Sequence, residues 1–131
     1  MINAYKQRRI AVVGVSENPE KYGHKIFVDL LKEGFNVSGV NLKGGKVEGK
    51  KLFAIIKEIS PLPDMVVTAV KPEVTEKIIE EIRNLGMTRI WMQPGSESEK
   101  AIAKAKDYGM LVTHNKCFMV ANGIWQKKAQ Y

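Results

Sequence analysis

A single cysteine, Cys117, stands among 131 residues, so no internal disulfide can form and a reducing compartment is expected. Long apolar runs are missing too. Ile10 to Val13 and Met65 to Val67 fall far short of the about 20 residues that a membrane-spanning helix needs. The stretch from Met1 to Arg9 carries charge but no apolar segment ending in small residues. No secretory signal or membrane role is therefore expected, and the cytoplasm is the expected location. Two histidines, His24 and His114, lie far from each other and lack paired-ligand spacing with Cys117, so no metal site is expected. A GxGxxG fingerprint, a Walker loop, a GxSxG elbow and a carboxylate pair with an evident role are all absent.

What is present is an ordinary globular composition, 44% hydrophobic and 27% charged, which disfavours disorder and coiled coil. The length fits one domain over 1–131. Lys and Arg number 21 against 14 Asp and Glu, a formal charge of +7, so an anionic partner is expected. The basic residues are densest from Lys43 to Lys51 and at Lys127 and Lys128. No nucleic-acid reading motif or stacked aromatic platform accompanies them, so a small phosphorylated molecule is favoured over a polymer.

Gly34, Gly86 and Gly109 each close a helical stretch and open an apolar one. The resulting unit of helix, glycine and strand suits helices packed on a parallel sheet. Strands are predicted over 9–15, 36–41, 64–70, 88–92 and 110–113. Helical stripes are predicted at Ile26, Phe27, Leu30 and Leu31, at Val74, Ile78, Ile79, Ile82 and Leu85, and at Ala101, Ile102 and Ala105. Ser96 and Glu99 form a candidate capping box for the third helix, and Pro72 suits the first turn of the second. Residues 43–60 read as a short helix or a packed loop. The expected fold is α/β: a three-layer Rossmann-like domain with a five-stranded parallel sheet in the order 3-2-1-4-5 and helices on both faces.

In such sheets ligands bind at the carboxyl ends of the strands, near the point where strand order reverses. The first segment there carries Gly14, Val15, Ser16, Lys21 and Gly23, a loop before a helix N-terminus that can offer amides and positive charge to phosphate. The second carries Asn41 and Lys43. A neutral Asn followed by Lys43 and Lys46, in place of the ribose-binding carboxylate of an NAD site, suits a phosphorylated adenosine. Val70, Lys71 and Pro72 form the third segment, and Gln93, Pro94, Gly95 and Ser96 the fourth. Their amide-bonding and small residues suit a long, neutral, amide-bearing arm. For Ser96 a capping role is the plainer account. Cys117 beside Lys116 reads as a buried structural thiol in preference to a reactive one.

Ile10 to Ser16 with Asn18, Pro19 and Lys21, then Val40-Asn41, Gly49-Lys50, Gln93-Pro94-Gly95 and Cys117, occur in an order that resembles the small bacterial and archaeal CoA-binding domain proteins. These are similar to the N-terminal CoA-binding domain of the succinyl-CoA synthetase alpha subunit. The resemblance runs from about Tyr5 to Ile124. It implies coenzyme A or an acyl-CoA as ligand, with the loop from Gly14 to Lys21 at the phosphates and Asn41 and Lys43 near the adenosine. It further implies that Val70, Lys71, Pro72, Gln93, Pro94 and Gly95 line the pantetheine path. Many relatives have Asn-Pro where this chain has Asn41-Leu42, and Asp-Arg-Cys where it has Asn115-Lys116-Cys117. A noncatalytic carrier, sensor or partner subunit is expected over an enzyme, with a protein partner or a homodimer both open. The alternatives are a thiol-exchange enzyme using Cys117 on CoA disulfides, and an NAD(H) or nucleotide-sensing module.

Overall fold

The computed structural model describes residues 4–126, so the basic pair Lys127 and Lys128 lies outside the described residues. The chain forms β1 (Arg9–Val13), α1 (Tyr22–Lys32) and β2 (Asn36–Val40), then a hairpin of β3 (Lys46–Val47) and β4 (Lys50–Lys51). It continues through a short 3-10 turn at Ile56–Glu58 into β5 (Met65–Thr68), α2 (Pro72–Asn84), β6 (Arg89–Met92), α3 (Glu99–Asp107), β7 (Leu111–Thr113) and α4 (Phe118–Ala121). The predicted strands and helices are present, and of the two readings for 43–60 it is the packed loop that occurs, carrying a hairpin and a 3-10 turn.

Gly34, Gly86 and Gly109 take positive φ just past α1, α2 and α3. The next amide in each case reaches back into the last turn: Phe35 to Leu30 O at 3.0 Å, Met87 to Ile82 O at 2.9 Å and Met110 to Ala105 O at 3.0 Å. Each helix thus ends on a bond that satisfies a terminal carbonyl and turns the chain into the following strand. The third helix starts differently from expectation. Ser98, two residues after Ser96, is its N-cap, and its Oγ accepts from the Ala101 amide at 3.0 Å. Ser96 is buried instead, its hydroxyl donating to Gln93 O at 2.7 Å and lying 2.9 Å from Thr68 Oγ1.

Every pairing in the five-stranded sheet is parallel. The order is β2-β1-β5-β6-β7, which for the five sheet strands is 2-1-3-4-5, not the predicted 3-2-1-4-5. Burial accounts for the correction. β5 is buried at all four positions and takes a central place, whereas β2 starts with exposed Asn36 and half-buried Val37 and Ser38 and lies at an edge. The outer side of β2 is also taken where it ends: the Phe53 amide donates to Gly39 O and the Asn41 amide to Phe53 O, both at 2.9 Å. The strand after the hairpin therefore pairs on the far side of β1.

Alternation along the strands divides the core. Ile10, Val12, Met65, Val67 and Trp91 face one layer with α1 and α4. Ala11, Val13, Val66, Ile90 and Met92 face the other with α2 and α3. In α2, Ile78, Ile79 and Ile82 are buried as predicted, but Val74 at the head of that stripe is 38% exposed. It stands above the sheet's carboxyl edge, where no strand remains to cover it.

Candidate functional site

The observed strand order places the reversal between β1 and β5, so the loops after these two strands flank the switch point. Gly14, with φ of 103°, ends β1, and any Cβ there would overlap the carbonyl oxygen of Ala69. A Cβ on Gly23 would in turn overlap the carbonyl oxygen of Gly14, so β1, β5 and the start of α1 meet backbone to backbone. These two glycines close the structure at the site. The amides of Gly14 and Val15 are already bonded to Val40 O, at 2.9 and 3.2 Å, and Val15 is fully buried.

The rest of the loop is braced by its own side chains. Ser16 Oγ accepts from the Asn18 amide and Asn18 Oδ1 from the Glu20 amide, each at 3.0 Å, while His24 Nδ1 lies 2.6 Å from Ser16 O. Asn41 ties the loop to β2, donating from Nδ2 to Val15 O at 2.8 Å and accepting from the Lys43 amide at 2.9 Å. Glu17 reaches the hairpin, where its carboxylate accepts from the Lys46 amide at 3.0 Å. The N-termini of α1 and α2, at Lys21 and Lys71, have no side-chain cap, in contrast to α3 with its Ser98. Two helix ends without a side-chain cap thus open beside the switch point, α1 with no acidic residue in its first turn and α2 with Glu73. Lys21, Lys43 and Lys71 are exposed and make no ion pair among the described residues.

Beside these helix ends lies a cleft of about 380 Å³ at the carboxyl ends of β1, β2 and β5. Gly14, Asn41 and Val70 line it, together with Leu42, Ile55 and Val74. Leu42 is 82% exposed, Ile55 40% and Val74 38%, and together they are three of the four large apolar side chains left exposed among the described residues. Their collection around one cleft is unlike scattered surface leucines and forms an apolar wall there, beside the lining residues Lys77 and Glu81. A flat aromatic ring fits such a wall, and the helix ends and lysines next to it fit the phosphates of a nucleotide. The donor set and the apolar wall thus suit the adenosine end of coenzyme A. Sequence reading missed Leu42, Ile55 and Val74. The one signal for Leu42 was an apolar residue in a polar Asn-Leu-Lys-Gly turn, where no helix or strand stripe claims it.

The fourth segment is placed differently from the first three. Gln93 is fully buried: Oε1 accepts from the Phe118 amide at 2.6 Å, and Nε2 donates to Tyr22 Oη at 2.7 Å and to Cys117 Sγ at 3.4 Å. In this arrangement Gln93 joins β6 to the starts of α1 and α4. Pro94 is half-buried and Gly95 exposed at the same edge, and the Gly95 amide donates to the Glu97 carboxylate at 2.8 Å. Pro72 begins α2 as predicted. Cys117 is 3% exposed, with Tyr22 Oη 3.5 Å from its sulfur, which matches the structural thiol expected for it. No group of metal-ligating side chains occurs among the described residues, and no helix among them is long and apolar enough to cross a membrane.

The family model described as "CoA binding domain" matches residues 8–123. The uncharacterized protein YneT of Bacillus subtilis is 28% identical over 119 residues, covering 91% of this chain and 88% of its own. The alpha subunit of an ADP-forming acetate–CoA ligase II from Pyrococcus furiosus is 26% identical over 90% of this chain, which spans only 28% of that subunit. Among solved structures, a conserved hypothetical protein from Pyrococcus furiosus superposes with a TM-score of 0.83 at 37% identity, covering 87% of this chain and 98% of its own. A dinucleotide-forming acetyl-coenzyme A synthetase from Ca. Korarchaeum cryptofilum gives a TM-score of 0.70 at 26% identity, over 82% of this chain and 26% of its own.

Proposed function

The chain belongs to the CoA-binding domain family, and from that premise we propose that it holds coenzyme A or an acyl-CoA as a noncatalytic carrier, sensor or partner subunit. The adenosine sits in the cleft of Leu42, Ile55, Val70 and Val74, and the phosphates lie toward Lys21, Lys43 and the uncapped start of α1. The observation that carries this reading is the gathering of three exposed apolar side chains at a cleft beside the switch point. When bound, coenzyme A supplies the thiol that carries acyl groups. The chain's part is to grip the nucleotide. Burial of Cys117 and the bonds to its sulfur give no support to a thiol-exchange reading. The likeness to ligase alpha subunits supports a role as the binding piece of acyl-CoA chemistry.

Calorimetric titration with CoA, dephospho-CoA, acetyl-CoA and NADH tests the proposal. CoA is expected to bind more tightly than NADH, and loss of the 3′-phosphate is expected to weaken binding by about 1–3 kcal/mol through lost charged hydrogen bonds. Leu42→Asp is expected to weaken CoA roughly tenfold or more by placing a charge against the base. Because Leu42 is 82% exposed, its melting temperature should stay near that of the parent. Binding of NADH alone would overturn the reading and make this a dinucleotide sensor.

A further inference from the structure

A second groove, of about 350 Å³, runs along the outer side of β2, away from the nucleotide cleft. Its walls include Phe27, Leu31 and Phe35 on one side and Lys50, Lys51 and Phe53 on the other. The floor is the edge strand itself. Val40 O receives the Gly14 and Val15 amides from the β1 side, whereas Gly39 O and the Asn41 amide point outward to Phe53. Peptide groups alternate sides along a strand, so the N–H and C=O of Val37 and the N–H of Gly39 also point outward. Phe53 bridges only the end of the strand, at Val40. Among the described residues nothing pairs with the half of the edge nearer Asn36, whose ladder groups are open to a further strand.

The charged residues that line this groove, Lys50 and Lys51, have one sign. The Lys6 ammonium stands 5.6 Å from the centre of the Phe35 ring, and that of Lys51 stands 5.6 Å from the centre of the Phe53 ring. Lys50 and Lys51 are exposed, and neither they nor Lys6 makes an ion pair among the described residues. Asp29, Glu33 and Glu48, each two residues from a groove-lining residue, pair with none of these lysines among the described residues, and Asp29 accepts instead from the Trp125 indole. Lysines on an edge oppose pairing with a second copy of the same edge, because the two sets would face each other. A strand bearing carboxylates meets no such repulsion. We propose that the outer edge of β2 docks an extended, acidic segment of another protein, added to the sheet as a sixth strand. Its backbone pairs with Val37 and Gly39, its apolar side chains enter between Leu31 and Phe53, and its carboxylates meet Lys50 and Lys51.

The probe is a capped seven-residue peptide alternating acidic and apolar residues, acetyl-Glu-Val-Asp-Phe-Glu-Val-Asp-amide, titrated into the full chain and followed by amide NMR and hydrogen exchange. Saturable binding with a dissociation constant below about 1 mM is expected, with slowed exchange at the Val37 and Gly39 amides. A Lys50→Glu, Lys51→Glu double variant is expected to weaken it by roughly tenfold, as is added salt. Both substituted side chains are exposed, and an unchanged melting temperature shows that the fold is kept. No binding near 1 mM, undiminished binding by the double variant, shifts confined to the Leu42 cleft, or equal binding of a peptide with Lys in place of each acid would each overturn the proposal. So would sedimentation showing that the chain pairs with itself through this edge.

Discussion

On one face of the sheet α1 and α4 are joined by aromatic rings, and on the other α2 and α3 by aliphatic and small side chains. Phe118 lies at the centre of the first, 5.0 Å from the Trp91 ring, 5.3 Å from Tyr5 and 6.1 Å from Phe35, all edge to face. These rings come from the N-terminus, from α1's end, from β6 and from α4, so this layer gathers segments remote in sequence. The second layer is built from Ile79, Ile82, Ile90, Met92 and two alanines of α3, Ala101 and Ala105, which let that helix lie close to the sheet. The difference bears on the site. The aromatic layer is closed at the carboxyl edge by Tyr22, Gln93 and Cys117, whereas the aliphatic layer runs out at Val74 and leaves the cleft open. A packed, hydrogen-bonded corner and an unfinished apolar wall stand side by side at one sheet edge.

Removing a central ring should separate the two layers most clearly. Phe118→Ala is expected to lose about 3–5 kcal/mol in urea denaturation, against about 0.5–1.5 for Ile79→Val on the aliphatic face. Equal losses would mean that the aromatic layer does not hold the remote segments together. A smaller effect is expected at the closed corner. Gln93→Leu leaves the buried Phe118 amide without its acceptor, a loss of about 1–3 kcal/mol. Faster hydrogen exchange at the Phe118 amide, with exchange in α2 unchanged, would locate that loss in the corner.

The least effect belongs to the surface between α2 and α3, where Glu80 accepts from Tyr108 Oη at 2.6 Å and pairs with Lys104 at 2.7 Å. The Lys104 and Tyr108 hydrogen bonds hold the Glu80 carboxyl below its usual range, and the same carboxylate raises Lys104 and Tyr108. The lowered group stabilises the fold fully above its unfolded pKa, and this is lost as pH falls through the folded value. For the two raised groups the stabilisation is full below their unfolded pKa values and is lost as pH rises through the folded ones. Glu80→Gln should therefore lower the melting temperature slightly at neutral pH, with the difference vanishing in acid. A difference that persisted in acid would assign the effect to packing.

Much of the fold was legible because it rests on local chemistry. Glycine after each helix and continuous apolar strands act over a few residues, and they correctly placed Gly34, Gly86, Gly109 and the five strands. Strand order was not legible in the same way. It depends on which strand is more completely buried and on where Phe53 comes to lie, and both are relations between segments. The cap of α3 was missed by two residues because Ser96 and Ser98 are chemically alike, and only packing against Thr68 decides which one turns inward.

The candidate site divides along the same line. The sequence by itself determined that an α/β domain would present the loop from Gly14 to Gly23, Asn41 and Val70 to Pro72 at one sheet edge, because strand direction carries those loops there. Only the tertiary structure decided that Gln93 is spent within the corner, that Asn41 braces the first loop, and that Leu42, Ile55 and Val74 form one wall. Hydrogen-bond partners and exposed apolar neighbours are set by which surfaces remain uncovered after packing, a property of the assembled layers that no single segment encodes.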